Sequence, residues 1–352
     1  MRISVLLPAL VLTPALHASP VSTYSITDLG AGTATALNGS GGAAGWYVDP
    51  FGYTHGFVYE GATRTDLGAG TQAFAVSGNG MAYGQTYDAL GDPSATQWQS
   101  GTPSALGGAT SAALGVNAAG AVVGASNGTA VMFQTGGAVG IGPAAGWSAA
   151  YAINDGGAAV GTAQRASGAF GAFVFLPGIG PVWLASLGGT NSYGAAINAS
   201  GAVAGTAQVS SGYLHATLWN HSSGGAQDLG TLGGVHSGAY GIGATGDVVG
   251  YSLTASGDSA AFLYTGGSML DLNSVFDGGS DWVLEAAYAI NGLGQIAGTG
   301  LYRGARHAFL LDPGVVEAQT FAAAETASAV PEPSSIVLVG LALLSLPILR
   351  RR

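Results

Sequence analysis

The sequence predicts an all-β repeat protein, a seven-bladed β-propeller of four-stranded blades, with a β-solenoid as the alternative. Three observations lead there. Glycine supplies 62 of 352 residues in a chain that is 48% apolar. Disorder favours low hydrophobicity, so this much glycine in an apolar chain implies turns. A pattern Asn-x-x-Gly-x-x-x-Gly returns seven times at spacings of 37 to 48 residues. Around each copy lie segments too short for helices and rich in β-branched residues, about four strands per repeat, which is the make-up of a propeller blade. A solenoid would carry polar caps at both ends, whereas a whole number of units suits a closed ring.

Taken in chain order, residues 1–18 read as a signal peptide. Met1-Arg2 is a minimal basic start, residues 5–16 are apolar, and Ala18-Ser19 suits signal-peptidase cleavage after Ala18. Residues 19–312 carry the repeats. Five copies keep the full pattern: Asn38/Gly41/Gly45, Asn117/Gly120/Gly124, Asn154/Gly157/Gly161, Asn198/Gly201/Gly205 and Asn291/Gly294/Gly298. Ser77/Gly80/Gly84 and Gly243/Gly246/Gly250 keep both glycines without the asparagine. The four residues from Asn to the first Gly form a hairpin turn. The Asn side chain bonds back to the backbone and the Gly takes a left-handed conformation.

A second element follows each turn: His55-Gly-Phe-Val-Tyr59, Ser94-Ala-Thr-Gln-Trp98, Thr129-Ala-Val-Met-Phe133, Gly171-Ala-Phe-Val-Phe175, His215-Ala-Thr-Leu-Trp219, Ala260-Ala-Phe-Leu-Tyr264 and His307-Ala-Phe-Leu-Leu311. Its second residue is always Gly or Ala, which predicts close backbone approach on one face. A third element, Asp-Leu-Gly at Asp28, Asp66 and Asp228 and Asp-Leu at Asp271, precedes most turns. Each repeat is therefore expected to hold an Asp-Leu-Gly strand, two hairpin strands and a His-Ala-Phe-like strand. Residues 313–329 form a linker. Residues 330–352 form a tail with a Val330-Pro331-Glu332-Pro333 box, an apolar run over 336–349, and Arg350, Arg351 and Arg352. The run spans about 21 Å as a helix, short of a bilayer core of ~30 Å, so it suits transient residence better than a permanent anchor. The terminal arginines would stay cytoplasmic.

Two resemblances follow from these motifs. The three-part tail closely resembles the PEP-CTERM sorting signal of Gram-negative bacteria. That resemblance implies a membrane-embedded exosortase-type transpeptidase as partner, beside signal peptidase, and delivery to the cell surface or beyond. The repeats over roughly 24–312 resemble the HAF-repeat family of bacterial extracellular proteins, whose name matches His307-Ala308-Phe309. Histidine survives in three units of seven, and the fourth unit lacks Asp-Leu-Gly. The family implies architecture and location more than activity.

Composition narrows the function. Between the cleavage site and Glu332 there are four arginines, Arg64, Arg165, Arg303 and Arg306, no lysine, and seventeen acids, a net charge of −13. Nucleic acid is an unsuitable partner for such a surface. The chain has no cysteine, which removes thiolate metal sites and cysteine nucleophiles. Gly124-Ala-Ser-Asn-Gly128 matches a nucleophile elbow by letter, yet no helix follows it. Gly241-Ile-Gly-Ala-Thr-Gly246 matches a dinucleotide fingerprint but leads into a strand. His55, His215 and His307 share one repeat position and are read as partly buried, hydrogen-bonded side chains rather than metal ligands. Asp28, Asp66 and Asp228 are read as turn caps, and Asp277-Gly-Gly-Ser-Asp281 lacks the ligand count of a calcium loop. Trp98 and Trp219 are assigned to the core, while Trp46, Trp147 and Trp282 are left freer.

The expected protein is an exported, non-enzymatic surface or matrix-associated scaffold without a cofactor, extracellular polysaccharide being a further candidate partner. The alternatives are a carbohydrate-binding, lectin-like propeller and a secreted hydrolase.

Overall fold

In the computed structural model, residues 24–144, 146–220, 225–276 and 279–314 are described. The signal peptide at 1–18, nearly all of the linker, the tail at 330–352, and Asp277 and Gly278 of the acidic segment lie outside the described residues. The described chain makes seven antiparallel four-stranded sheets. Their inner strands are Thr33–Leu37, Thr71–Val76, Ser111–Val116, Ser148–Ile153, Gly188–Ile197, Gly233–Ile242 and Trp282–Ile290. Each inner strand packs on the next, and Thr33–Leu37 also packs on Trp282–Ile290, so the seven blades close into a ring. The protein is a seven-bladed β-propeller. Among the described residues the only helical segments are two single 3-10 turns, Leu272–Ser274 and Gly279–Asp281.

The blade is framed differently from the sequence repeat. Asp66 sits in the strand Thr63–Ala69, the outermost of the first blade rather than the opening strand of the second. The first Asp-Leu-Gly strand, Tyr24–Ala31, likewise joins the seventh blade as its outer strand, in register from Tyr24↔Pro313 to Ala31↔His307. A ring needs such an overlap. Hydrogen bonds between the first and last segments of the chain close the circle where no covalent bond does.

The hairpin turns form as the sequence predicts. In all seven, the first residue donates its N–H to the carbonyl of the residue four on, and the glycine N–H donates back, as in Asn154 N→Ala158 O at 2.9 Å and Gly157 N→Asn154 O at 3.0 Å. Gly41, Gly80, Gly120, Gly157, Gly201, Gly246 and Gly294 have φ between +75° and +92°, where a side chain would be strained.

The second glycine has another cause. Each inner strand bulges by one residue opposite it, as between Ala150 and Ala152 facing Gly161. A Cβ on Gly161 would lie 2.0 Å from Ala149 O and 2.9 Å from the Phe173 ring. The ring covering this glycine comes from the third residue of the His-Ala-Phe-like strand in Phe57, Phe173, Phe262 and Phe309. In the third and fifth blades that residue is Val131 or Thr217, and Phe133 or Trp219, two places on, covers the glycine instead. Positions three and five share a face of the strand, so in these six blades a ring from one position or the other fills the same hole.

The small second residue of the same strand is explained as well. Ala95, Ala130, Ala172, Ala216, Ala261 and Ala308 are fully buried. A Cβ at Gly56 would already lie 3.1 Å from Thr71 Oγ1 and 3.2 Å from Ala73 N in the next blade.

Candidate functional site

The repeated polar residues are the natural candidates for chemistry, and the structure places nearly all of them in the frame. The five repeat asparagines, 2–5% exposed, each do two things. The side-chain oxygen of Asn154 accepts from Ala158 N at 3.0 Å within its own turn. Its amide nitrogen donates to Asn198 O in the next blade at 3.0 Å. The same outward bond runs from Asn38 to Ser77 O, from Asn117 to Asn154 O, from Asn198 to Gly243 O and from Asn291 to Asn38 O. These bonds run around the ring across five of its seven junctions. Ser77 and Gly243 occupy the two positions without an amide; Ser77 Oγ bonds to Asn79 and Met81 in its own turn. The sequence identifies these residues as turn formers; their role between blades was not legible there.

A second clasp escaped sequence reading altogether. Thr71, Ser111, Ser148, Ser192 and Ser237 stand six places before the turn, on the inner strand. Each hydroxyl accepts the backbone N–H of the small residue in the preceding blade, for example Ala172 N→Ser192 Oγ at 2.9 Å and Gly56 N→Thr71 Oγ1 at 2.7 Å. Gly32 and Glu285 stand at the same offset in the first and seventh units. The signal was a Ser/Thr at fixed offset, diluted by the abundance of serine in the chain.

The three repeat histidines are partly buried and hydrogen-bonded, each against the aspartate of its own blade's outer strand. His55 Nδ1 lies 3.1 Å from Asp66, His215 Nδ1 2.9 Å from Asp228, and His307 Nδ1 2.8 Å from Asp28. The aspartates do cap turns: Gly30 N, Gly68 N and Gly230 N donate to them at 2.7–2.8 Å. The sixth blade keeps the aspartate, Asp271, in the same register but has Ala260 in place of the histidine. Where the fourth blade has Gly171, Trp183 stands opposite, and a Cβ on Gly171 would meet its ring at 2.6 Å. Burial raises the Asp66 pKa, but bonds from Gly68 N–H, the Tyr47 hydroxyl and His55 outweigh it and hold the carboxyl below its usual range.

The described arginines are engaged too. Arg64 donates to Leu29 O and Ala31 O in the neighbouring blade and lies over the rings of Phe57 and Tyr47. Arg165 covers Trp183, Arg303 pairs with Asp281, and Arg306 with Glu285. Trp98 and Trp219 are core residues, 1% exposed. Trp282 is not free: it is 7% exposed and packs against Tyr302, His307 and Phe309. Trp46 and Trp147 are half-buried. The elbow-like 124–128 segment is a hairpin between Val122–Ser126 and Thr129–Gln134, and the fingerprint-like 241–246 segment is a hairpin turn.

Among the described residues no three His, Asp or Glu side chains are grouped to hold a metal ion, and no helix is long and apolar enough to cross a membrane. A distinct concavity does exist. Between the first and second blades, on the face of the asparagine turns, a groove of about 360 Å³ is bounded by Glu60, Thr63, Thr65, Asn79, Trp98 and Gln99 among others.

No protein-family model and no curated protein matches the chain. Solved structures do. A puromycin-hydrolysing peptidase from Mycobacterium tuberculosis aligns at 13% identity over 83% of this chain and 55% of its own, with a TM-score of 0.56. TolB from Acinetobacter baumannii aligns at 12% identity over 82% and 65%, with a TM-score of 0.44. A gluconolactonase from Xanthomonas campestris aligns at 11% over 84% and 93%, with a TM-score of 0.41. The chain thus spans less than two thirds of the first two. At such identities the likeness is one of fold, carried by the peptidase alignment alone, and brings no activity with it.

Proposed function

We propose that the chain is an exported, non-enzymatic β-propeller delivered to the cell surface or extracellular matrix of a Gram-negative bacterium through its C-terminal sorting tail. The observation that carries this reading is the meeting of the two ends of the ring. Tyr24 pairs with Pro313, and Pro313 lies against the Gly294 turn, so the first and last described strands meet side by side at the face of the asparagine turns. A domain with adjacent ends hangs from a single stalk and completes its ring independently of whatever is later cut from that stalk. The repeat positions also support a scaffold. Their asparagines, histidine–aspartate pairs and hydroxyls are engaged in holding strands and blades together rather than converging on one point.

The sorting step is tested in the native host. Changing Pro331 and Glu332 to alanine is expected to leave export intact and to trap an unprocessed, membrane-bound form. Mass spectrometry of the wild-type protein gives the direct reading. A mature species that still carries residues 336–352 defeats the exosortase assignment and leaves an ordinary anchor.

A further inference from the structure

One corner of the fourth blade departs from the repeat in a way that changes its charge. In three blades this corner pairs a histidine with an aspartate, and the aspartate stands opposite the third residue of the His-Ala-Phe-like strand, in Phe57↔Asp66, Thr217↔Asp228 and Phe309↔Asp28. In the fourth blade the same register brings Trp183 opposite Phe173, and Gly171 replaces the histidine. Arg165, from the turn before this strand, fills the space: a Cβ on Gly171 would meet its Nε at 2.5 Å. A permanent cation thus lies where the other blades place an imidazole, and the carboxylate that would face it is gone. The guanidinium lies over the Trp183 ring, 4.1 Å from its centroid, and enters none of the ion pairs among the described residues. The neighbouring sequence supplies no substitute. Residues 156–227 contain no Asp or Glu, in a chain that has 18.

Half-buried Arg165, Ala169 and Trp183 line an open concavity of about 550 Å³ with the exposed Ser167, Ser186 and Thr190, within the ~300–1,000 Å³ of small-molecule sites. Its hydrogen-bonding capacity is one-sided. The guanidinium carries donors alone. Ser167 Oγ accepts from Ala169 N and Ser186 Oγ from Gly188 N, both at 3.4 Å, which leaves each hydroxyl its own hydrogen to give. No acidic side chain lines the space. Such a wall favours a ligand rich in acceptors, with a carboxylate to match the planar fork of Arg165. A peptide brings an N–H with almost every residue and would set donors against donors. A uronate sugar instead carries its carboxylate beside a ring oxygen and a glycosidic oxygen. We infer that this corner of the fourth blade binds a hexuronate residue of an acidic polysaccharide, Arg165 pairing with the carboxylate while Ser167 and Ser186 donate to neighbouring oxygens. The ligand supplies the carboxylate that Asp28, Asp66 and Asp228 supply in the other blades. The site goes beyond the delivery reading above and stands or falls independently of whether the tail is cut.

The test uses the full chain with ¹⁵N-labelled tryptophan, held in lauryldimethylamine oxide micelles, a detergent without carboxylates or sugar hydroxyls. Salt at about 0.15 M screens the net negative charge of the chain beyond ~8 Å. Trigalacturonate, trimannuronate and triguluronate are the probes, with galactotriose and mannotriose as neutral controls and tetraglutamate as the peptide control. The Trp183 indole resonance, identified by its absence in Trp183→Phe, is expected to shift saturably with at least one uronate and to respond far more weakly to every control. Arg165→Gln should weaken binding about tenfold to a hundredfold, the worth of hydrogen bonds to a charged group. Ala169→Asp sets a carboxylate across the turn from Arg165 and should abolish binding. The matching turns Asp88–Asp92 and Thr254–Asp258 already end in aspartate, so this variant keeps the fold and covers the case of a misfolded Arg165 variant. The inference is overturned if none of the three uronates moves the Trp183 resonance at tens of millimolar. It is also overturned if a neutral trisaccharide or tetraglutamate binds as tightly, or if folded Arg165→Gln or Ala169→Asp protein retains wild-type affinity.

Discussion

At the scale of single residues, the two glycines of each repeat look alike in sequence and differ in what they prevent. Gly157 is required by its backbone angle, with φ +78° and only Pro177 Cγ near, at 3.4 Å. Gly161 is required by space, because a Cβ would overlap Ala149 O and the Phe173 ring. Gly157→Ala is therefore expected to cost about 1–2 kcal/mol, the penalty of a left-handed alanine. Gly161→Ala should cost more, since overpacking costs ~1–3 kcal/mol even where neighbours can shift and here the closest neighbour is backbone. Denaturant midpoints of the two variants decide the order. The asparagines allow a test in both directions. Asn154→Ala removes one of the two donors to Asn198 O, which keeps Gly201 N–H, and takes the acceptor from Ala158 N; it should lose about 1–3 kcal/mol. Ser77→Asn restores an amide at one of the two junctions without this bond, next to Asn117, and should raise the midpoint by the ~0.5–1.5 kcal/mol of one net hydrogen bond. A fall in stability for Ser77→Asn would mean that the second turn has lost the geometry of the others.

At the scale of strands, the His–Asp pairs tie the third strand of a blade to its outer strand. The outer strand Thr63–Ala69 is largely exposed and has no strand beyond it, so side-chain bonds such as His55–Asp66 contribute to holding it. The sign of the pH effect follows from Asp66, whose carboxyl is held below its usual range in the folded protein. Such a group stabilises fully above its unfolded pKa of ~3.9 and loses that contribution as pH falls through the lower folded value. Wild type should therefore exceed Asp66→Asn in stability at neutral pH, and the gap should close on acidification below about pH 4. A gap that stays constant down to pH 2 would mean that the folded carboxyl is not stabilised as an anion. Part of this element was legible in sequence: the Asp-Leu-Gly strand, its cap and a bonded histidine are all visible as motifs. The pairing of His with the Asp of the following unit was not, because partner strands are chosen by the blade and not by the repeat.

At the scale of the molecule, closure is the central fact. The strand Tyr24–Ala31 completes the seventh blade from the opposite end of the chain, and Asn291 bonds to Asn38 O across the same junction. Every blade is then flanked on both sides. Deleting residues 228–264 removes the strands Gly233–Ile242 and Val248–Thr254 and nearly all of Ser259–Thr265, so that with the retained Ser268–Asp271 only six blades' worth of strands remains, a number the inter-blade angles of a seven-membered ring do not fit. Calorimetry of the shortened protein is expected to show no single cooperative transition. A linear stack would shorten and still melt cooperatively, so a sharp transition in the deletion variant would contradict the closed ring as the unit of stability.

What the sequence determined by itself was everything carried by local periodicity: seven repeats, short strands in place of helices, turns at Asn38, Asn117, Asn154, Asn198 and Asn291, and left-handed glycines at their ends. These follow from backbone angles and two-residue alternation, which depend on near neighbours in the chain. Tertiary structure alone decided what depends on neighbours in space. It set the one-strand offset between repeat and blade, turned the asparagines and serines into clasps between blades, and buried Trp282. It also left Trp98 with an orphan N–H where Trp219, its repeat counterpart, is satisfied. The physical reason is the same in each case: a hydrogen bond between blades joins residues about 15 to 45 positions apart, and at the ring junction 253 apart. No repeat spacing within one unit encodes which surface will lie opposite once the ring has closed.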